Sequence, residues 1–320
     1  MIVPFGLKPN STVLLSGCGG GFDFLCGVPL GLELEKRGHR VVYSNYTFSN
    51  LSGISQPKII TDHLVEVTSS DTMKGSDEWS RYFPEKVFCE WQEKTFNEPT
   101  KMYLYAAVSA QQLAAIFNLL YEKEGIDYHF VVDGGCDGVF RGDEYDLGTP
   151  AIDAVSVIAA SLSNKLCDKR YVMTAFGTEG VGRSVSHAEV LRRVSELMES
   201  GLAVSSITNN REAAKLFQQA FEYMTANMPI KFQSTIVSSI CSSLRGQFGD
   251  RAVNAKTDIS PVWVSPLTSL IWYLDIEAVA KSKLYYEEVV QEQTPIAVHS
   301  AIERFVKSRP PHGEKESIPI

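Results

Sequence analysis

The sequence predicts a doubly wound α/β protein with a mostly parallel sheet and a C-terminal elaboration, and three observations carry that prediction. Short apolar runs end in glycine turns at "STVLLSG", "DYHFVVDGG" and "KRYVMTAFG". Segments with helical apolar spacing separate them. The N-terminal order of strand, glycine turn, helix and strand is the way such folds begin.

Taken in order, "STVLLSG" reads as a buried strand that runs into a glycine turn. Residues 24–37 read as a helix that closes at Gly38, a residue suited to follow a helix end. "HRVVYSNYT" is the second strand, and "KIITDHLVEVT" holds a third. Residues 69–100 are polar and aromatic and read as an excursion with short helices. "KMYLYAAVS" predicts a strand that leads into a helix over 109–123, and "DYHFVVDGG" a strand with a second glycine turn. Pro150 suits the first turn of a helix over 150–163. "KRYVMTAFG" is another strand, and Ser186 with Glu189 predicts a capping box for a helix over 187–199. "LAVSSIT" is a further strand, and Asn210 or Thr208 opens a helix to about Met224. After Pro229 the rhythm changes. A helix over 234–245 precedes strand-like pieces near 252–255 and 262–264, the apolar run "LTSLIWYLD", and helices near 275–290 and 296–308. The expectation is one domain over 1–320, with its core at about 12–228, an elaboration at about 229–308 and a polar tail at 309–320.

Composition narrows the function classes. The 320 residues are 44% hydrophobic and 21% charged, as in globular chains that bury a core without staples. The net charge of -8 disfavours nonspecific binding to nucleic acid or anionic membranes. No run of about 18 apolar residues predicts a membrane span, and the N-terminus lacks the pattern of a signal peptide. The six cysteines are scattered, with no zinc spacing, which fits reduced thiols in a cytoplasm. A homo-oligomer stays open.

Two stretches carry chemistry. In "SGCGGGFD", Gly17, Gly19, Gly20 and Gly21 surround Cys18 and are followed by Asp23. Glycines let a ligand approach the backbone, and a helix start favours an anion. The amides of Gly19, Gly20 and Gly21 are therefore expected to hold an anionic group of a small molecule. The alternative is a turn that serves tight packing alone. The dinucleotide fingerprint GxGxxG is broken at Phe22, and the second strand supplies Ser44 and Asn45 where that fingerprint wants an acid. Asn45 is placed among the ligand-binding candidates. The second stretch, "VVDGGCDGVFRGDEYDLGTPAID", puts Asp133 at a strand end beside Gly134 and Gly135, with Asp137 close behind. Asp23, Asp133 and Asp137 are the candidate catalytic residues. They would orient a hydroxyl, activate water, or hold a divalent cation such as Mg²⁺. Asp143, Glu144 and Asp146 read as solvated loop acids. Glu179 in "FGTEGVGRS" is a lesser candidate for the same crevice, and Arg183 for an anion contact. Arg245 reads as a surface charge, and the histidines as structural or surface residues.

The pieces "GCGGGFD", "FVVDGGCDGVFRGDE" with "LGTPAIDA", and "TAFGTEG" resemble the family called domain of unknown function eleven fifty-two, over roughly residues 12–200. The resemblance implies a Rossmann-like fold with its pocket at these turns, and it lends no reaction. The leading functional reading is a hydrolase or group transferase acting on an anionic or nucleotide-like molecule. The alternative is a noncatalytic binding protein or sensor. A nicotinamide- or flavin-dependent oxidoreductase is disfavoured by the broken fingerprint.

Overall fold

Strand β1 (Thr12–Gly17) lies at the heart of a nine-stranded sheet. The structure is a computed structural model that describes residues 6–75, 77–148, 150–179, 185–209, 211–229 and 232–309. Parallel neighbours flank β1: β2 (Arg40–Tyr46) on one side and β6 (Tyr128–Asp133) on the other. Beyond β2 comes β5 (Lys101–Tyr105), and beyond β6 comes β7 (Asp168–Met173), both parallel. The chain therefore winds outward from β1 through β2 to β5. It then crosses back over helix α4 (Ala110–Glu124) to build the other half from β6. This reversal between β1 and β6 leaves a crevice outside their carboxyl ends. The register pairs Gly17 with Val132, so the first glycine turn and Asp133 emerge side by side.

Period-two alternation builds a core on both faces. Leu14 joins one apolar cluster, while its neighbours Val13 and Leu15 join the other. Helix α4, capped by a Ser109–Gln112 box, and helix α5 (Pro150–Leu162) cover the first face. On the second face lie α1 (Asp23–Cys26), α2 (Val28–Lys36) and α3 (Pro84–Phe96). The single helix predicted for 24–37 is thus two, joined at Gly27, whose bare Cα faces Val132. Within the supposed excursion at 69–100, α3 is a full layer element. Its Phe88 packs edge-on against Phe24 and Tyr43.

Other elements correct the sequence reading. "KIITDHLVEVT" forms two antiparallel strands, β3 (Lys58–Thr61) and β4 (Leu64–Thr68), because the polar pair Asp62–His63 turns the chain. Ser186 caps α6 (His187–Leu197), but the Glu189 side chain pairs with Arg192, 3.1 Å away. After β8 (Leu202–Ser206), helix α7 starts at Glu212 and ends at Ala226; Asn210 lies outside the described residues. Helix α8 (Thr235–Leu244) precedes a small antiparallel pair, β9 (Gly249–Arg251) and β10 (Val262–Val264). The strand expected near 252–255 is displaced to β9, and Ala255–Thr257 form a 3-10 turn.

The run "LIWYLD" becomes β11 (Leu270–Asp275), which inserts antiparallel between β7 and β8. Only β4 and β11 run against the other strands of the sheet. Helices α9 (Ile276–Ser282), α10 (Tyr286–Gln291) and α11 (Pro295–Lys307) then pack beside α5, on the flank of the crevice. No described helix is long and apolar enough to cross a membrane.

Candidate functional site

Three strand ends and one helix start deliver carboxylates to the crevice. Asp23 opens α1 just after the glycine turn, and Asp133 ends β6. Asp137 begins a 3-10 turn beyond it, and Glu179 follows the turn after β7. Asp153 projects from the first turn of α5. One oxygen each from Asp23, Asp133 and Asp153 lies within 4.8 Å of the other two. The same holds for Asp133, Asp137 and Glu179, so Asp133 belongs to both groups. Asp133, Asp137 and Asp153 are buried, and Asp23 and Glu179 partly so.

The glycines of both turns make this crowding possible. A side chain on Gly19 would strike Asp153, and one on Gly134 would strike Asp23. Gly135 stands in the same relation to Glu179, Gly138 to Asp133, and Gly148 to Asp137. Each of the five carboxylates therefore rests against a glycine Cα, in space that a side chain at that glycine would claim. Gly20 has a different task. Its φ of +92° turns the chain, and the Phe48 ring lies on it and on Gly21.

Hydrogen bonds orient the acids. The Gly19 N–H donates to Asp23 Oδ2 at 2.5 Å, and the Cys136 N–H to Glu179 Oε1 at 2.9 Å. Asp133 Oδ2 accepts from the Tyr171 hydroxyl and, at 3.1 Å, from the Gly138 N–H. The Thr174 hydroxyl binds the Asp133 carbonyl at 2.7 Å. Beside Thr174, Ala175 adopts a left-handed conformation with φ of +54°, strain of the kind that gathers at functional sites.

Burial and mutual repulsion both favour the protonated forms of these acids. Burial, then the nearby Asp137, push the Asp133 carboxyl up to about 7 against the bonds from Tyr171 and Gly138. Burial, then Asp133, raise Asp23 well above the carboxylate range. Burial, then Asp137, do the same to Asp153 and Glu179. Lys283 is a buried cation nearby, but its Nζ donates to the carbonyls of Gly138 and Phe140 at 2.8 and 3.0 Å. It braces the loop that carries Asp137.

The acids form the floor of a cavity of about 900 Å³. Its walls include Ile152 of α5, Ile236 of α8, and Ile302 and Val306 of α11, with Phe48 and Tyr145 among its lining. Seven of the residues singled out from sequence line it: Gly19, Gly20, Asp23, Asp133, Gly134, Asp137 and Glu179. Four stand behind the wall. Gly17 leaves room for Asn45, and Gly135 for Glu179. Gly21 carries the Phe48 ring. Asn45 is fully buried and ties the turn down, donating to the Gly21 carbonyl at 2.9 Å and to Glu85 Oε1 at 2.8 Å.

Two of the three amides expected to hold an anion are taken within the chain. The Gly19 N–H is taken by Asp23, and the Gly21 N–H donates to the Tyr46 carbonyl at 3.2 Å. Carboxylates crowd the place where an anion was expected. Glu144 also departs from its reading as a solvated acid. It is buried, accepts the Arg141 and Gly142 N–H groups at 2.8 Å, and faces buried Arg193 at 3.6 Å. Arg183 lies outside the described residues. Arg245 pairs at the surface with Glu222, 3.3 Å away. All six cysteines are free and buried, and burial, then Asp153, raise the Cys18 thiol. His129 sits between Ser16 and Tyr121 inside the core.

Asp153 and Phe48 are the site residues that sequence reasoning missed. Asp153 had a usable signal, an acid in the first turn of a helix whose start faces the sheet's carboxyl edge. Phe48 had none, since nothing in the chain order links it to Gly20.

Fold and site together define a Rossmann-like α/β protein with an acid-floored crevice at its topological switch point. The family model described as protein of unknown function (DUF1152) matches residues 14–307, and the chain belongs to that family. The match runs well past residue 200, where the resemblance read from sequence ended, and takes in β11 and the whole of α11. No curated protein and no solved structure matches the chain.

Proposed function

We propose that the protein is a hydrolase or group transferase that depends on divalent cations and acts on a small phosphate-bearing molecule in this crevice. The observation that supports the reading is the pair of three-carboxylate groups that share Asp133. An all-oxygen donor set suits a hard cation such as Mg²⁺, Mn²⁺ or Ca²⁺. Ligand oxygens on opposite sides of such a cation stand about 4–5 Å apart, twice the usual metal–oxygen distance, which the spacing within each group accommodates. A bound cation also removes the repulsion that keeps these acids protonated. It supplies Lewis acidity toward a phosphoryl oxygen, and two such ions clamp an in-line displacement.

In this reading Asp23, Asp133 and Asp153 would hold one cation, and Asp133, Asp137 and Glu179 a second. Tyr171 and the Gly138 N–H hold Asp133 in place. A substrate anion is attracted by the cations rather than by the turn's amides. In hydrolysis, a water oxygen forms the new bond to phosphorus while the bond to the leaving oxygen breaks. One carboxylate takes the water's proton, and the leaving oxygen gains one.

The test is Mn²⁺ calorimetry on the purified protein, followed by assays of phosphate release from a panel of phosphomonoesters and phosphoanhydrides. Saturable Mn²⁺ uptake and metal-dependent release are expected, and both should be lost in Asp133→Asn. A folded protein that takes up no Mn²⁺ refutes the reading. Uptake without turnover on any ester would favour a binding protein instead.

A further inference from the structure

The crevice has a second half that the carboxylate floor does not use. Its volume of about 900 Å³ is of the size that holds a whole cofactor or drug-sized molecule, far more than a phosphate group fills. Phe48 and Tyr145 both line it, and each leaves 55% of its surface open. Gathered in one cavity, they belong to the kind of exposed apolar patch that marks a ligand groove. Phe48 is also held in place. One part of its ring rests on the bare backbone of Gly20 and Gly21, so the ring stands beside the turn that carries Asp23. Ile152, Ile236 and Ile302 extend the apolar lining toward α11.

An open aromatic ring, an apolar wall and a carboxylate floor that would draw an anion once cations load it fit one kind of guest. We infer that the substrate is a phosphate ester of a flat aromatic or heterocyclic group, of nucleotide size, with its ring stacked on Phe48 and its phosphate over the carboxylate floor. The inference rests on the metal-dependent reading above and adds the body of the substrate to it. Contact with an aromatic ring is stronger than with a saturated ring of equal size, because offset-stacked or edge-to-face π contact adds to the area buried. A base stacked on an aromatic side chain typically accounts for about tenfold or more in affinity.

Phosphonates test this without turnover, since the P–C bond resists hydrolysis. Mn²⁺ binding to the full-length protein is measured first. Methylphosphonate, cyclohexylmethylphosphonate, benzylphosphonate and 1-naphthylmethylphosphonate are then titrated into the Mn²⁺-loaded protein. The naphthyl compound should bind at least about tenfold more tightly than methylphosphonate. Benzylphosphonate should bind more tightly than its cyclohexyl counterpart. Phe48→Ala should abolish the aromatic advantage, read as the ratio of naphthyl to methyl affinity within that variant, and Phe48→Trp should keep it. If the protein binds Mn²⁺ but holds all four phosphonates equally, or prefers the cyclohexyl compound, the inference is overturned and the metal site stands. If the aromatic advantage survives in Phe48→Ala, the assignment to Phe48 is overturned. If no Mn²⁺ binds, the metal-dependent reading falls, and the inference falls with it.

Discussion

Glu124 and Glu66 lie toward the amino ends of the central strands, and Asp133 lies at the carboxyl end of β6. All three are largely withdrawn from solvent, yet their neighbours differ. Glu124 is met by Arg40 at 2.8 Å, by Lys101 at 2.9 Å and by the Tyr103 hydroxyl. Glu66 is met by Lys58 at 3.0 Å and Lys101 at 3.5 Å. Burial alone would raise the Glu124 carboxyl, but the bonds from Tyr103, Lys101 and Arg40 hold it down to about 2. Burial likewise works against Glu66, and the hydrogen bond from Lys58 and the charge of Lys101 hold it down. At the other end, burial and Asp137 push Asp133 up to about 7. Asp133 is the more deeply buried, and its acidic neighbour adds to burial, where the cations around Glu124 and Glu66 outweigh it. The acids at the amino end are satisfied within the fold. The crevice acids burden the fold, and a ligand that the chain does not contain would relieve them.

The largest effect that separates the two ends is on activity. Asp133→Asn should lower metal-dependent turnover by at least about a hundredfold, since a shared ligand should matter no less than the outer-shell partners whose loss already costs about 10–100-fold. The metal-free variant should be as stable as the parent or slightly more so, because one charge leaves a repelling group. Urea melts and steady-state rates check this. A destabilised variant with normal turnover would erase the contrast. The next effect is that of the cation. Mn²⁺ at about a hundred times its Kd should stabilise the protein by about 2.7 kcal/mol, seen as a Tm rise of about 5 °C or more. Glu124→Gln should show the same rise and Asp133→Asn almost none. An equal rise in all three would place the cation outside the crevice.

Glu124→Gln sharpens the other side of the comparison. It should cost about 1.5–3 kcal/mol of stability, the range for hydrogen bonds to a charged group. Its Mn²⁺ affinity should equal the parent's, and a loss of affinity would mean that the two ends are coupled. The smallest effect is on pH dependence, and here the two ends have opposite signs. Glu124 has a folded value of about 2 against an ordinary 4.5. Its contribution is present above pH 4.5 and is lost as pH falls toward 2. Asp133 has a folded value of about 7 against an ordinary 3.8. In metal-free protein its contribution is present below 3.8 and is lost as pH rises through 7. Metal-free protein should therefore be less stable at pH 8 than at pH 5. Asp133→Asn should reduce that difference and Glu124→Gln should not. Urea melts at the two pH values decide it.

Much of the frame was legible in the chain. The runs that became β1, β2, β5, β6 and β7 are apolar, short and closed by turn residues, and such runs are strands in any tertiary setting that buries both faces. Asp23, Asp133, Asp137 and Glu179 were legible as a group for the same reason: each follows a strand or its turn, and parallel strands bring their carboxyl ends to one edge. The role of the glycines was not. Gly19, Gly134 and Gly135 read equally well as amides open to an anion or as room for a neighbour. The outcome depends on which side chain arrives from elsewhere, and Asp153 and Glu179 come from far along the chain. Nor was β11 placed by its own residues, since "LIWYLD" carries no mark of the gap between β7 and β8.

By itself the sequence determined the alternation of strands and helices, the two glycine turns and the acids beside them, because these follow from local apolar periodicity and turn chemistry. Only the tertiary structure decided that five carboxylates share one floor, that Asn45 lies beneath it, and that Phe48 stands open above Gly20. Those facts depend on contacts between segments far apart in sequence, and on the desolvation and mutual repulsion that arise once the sheet brings them together.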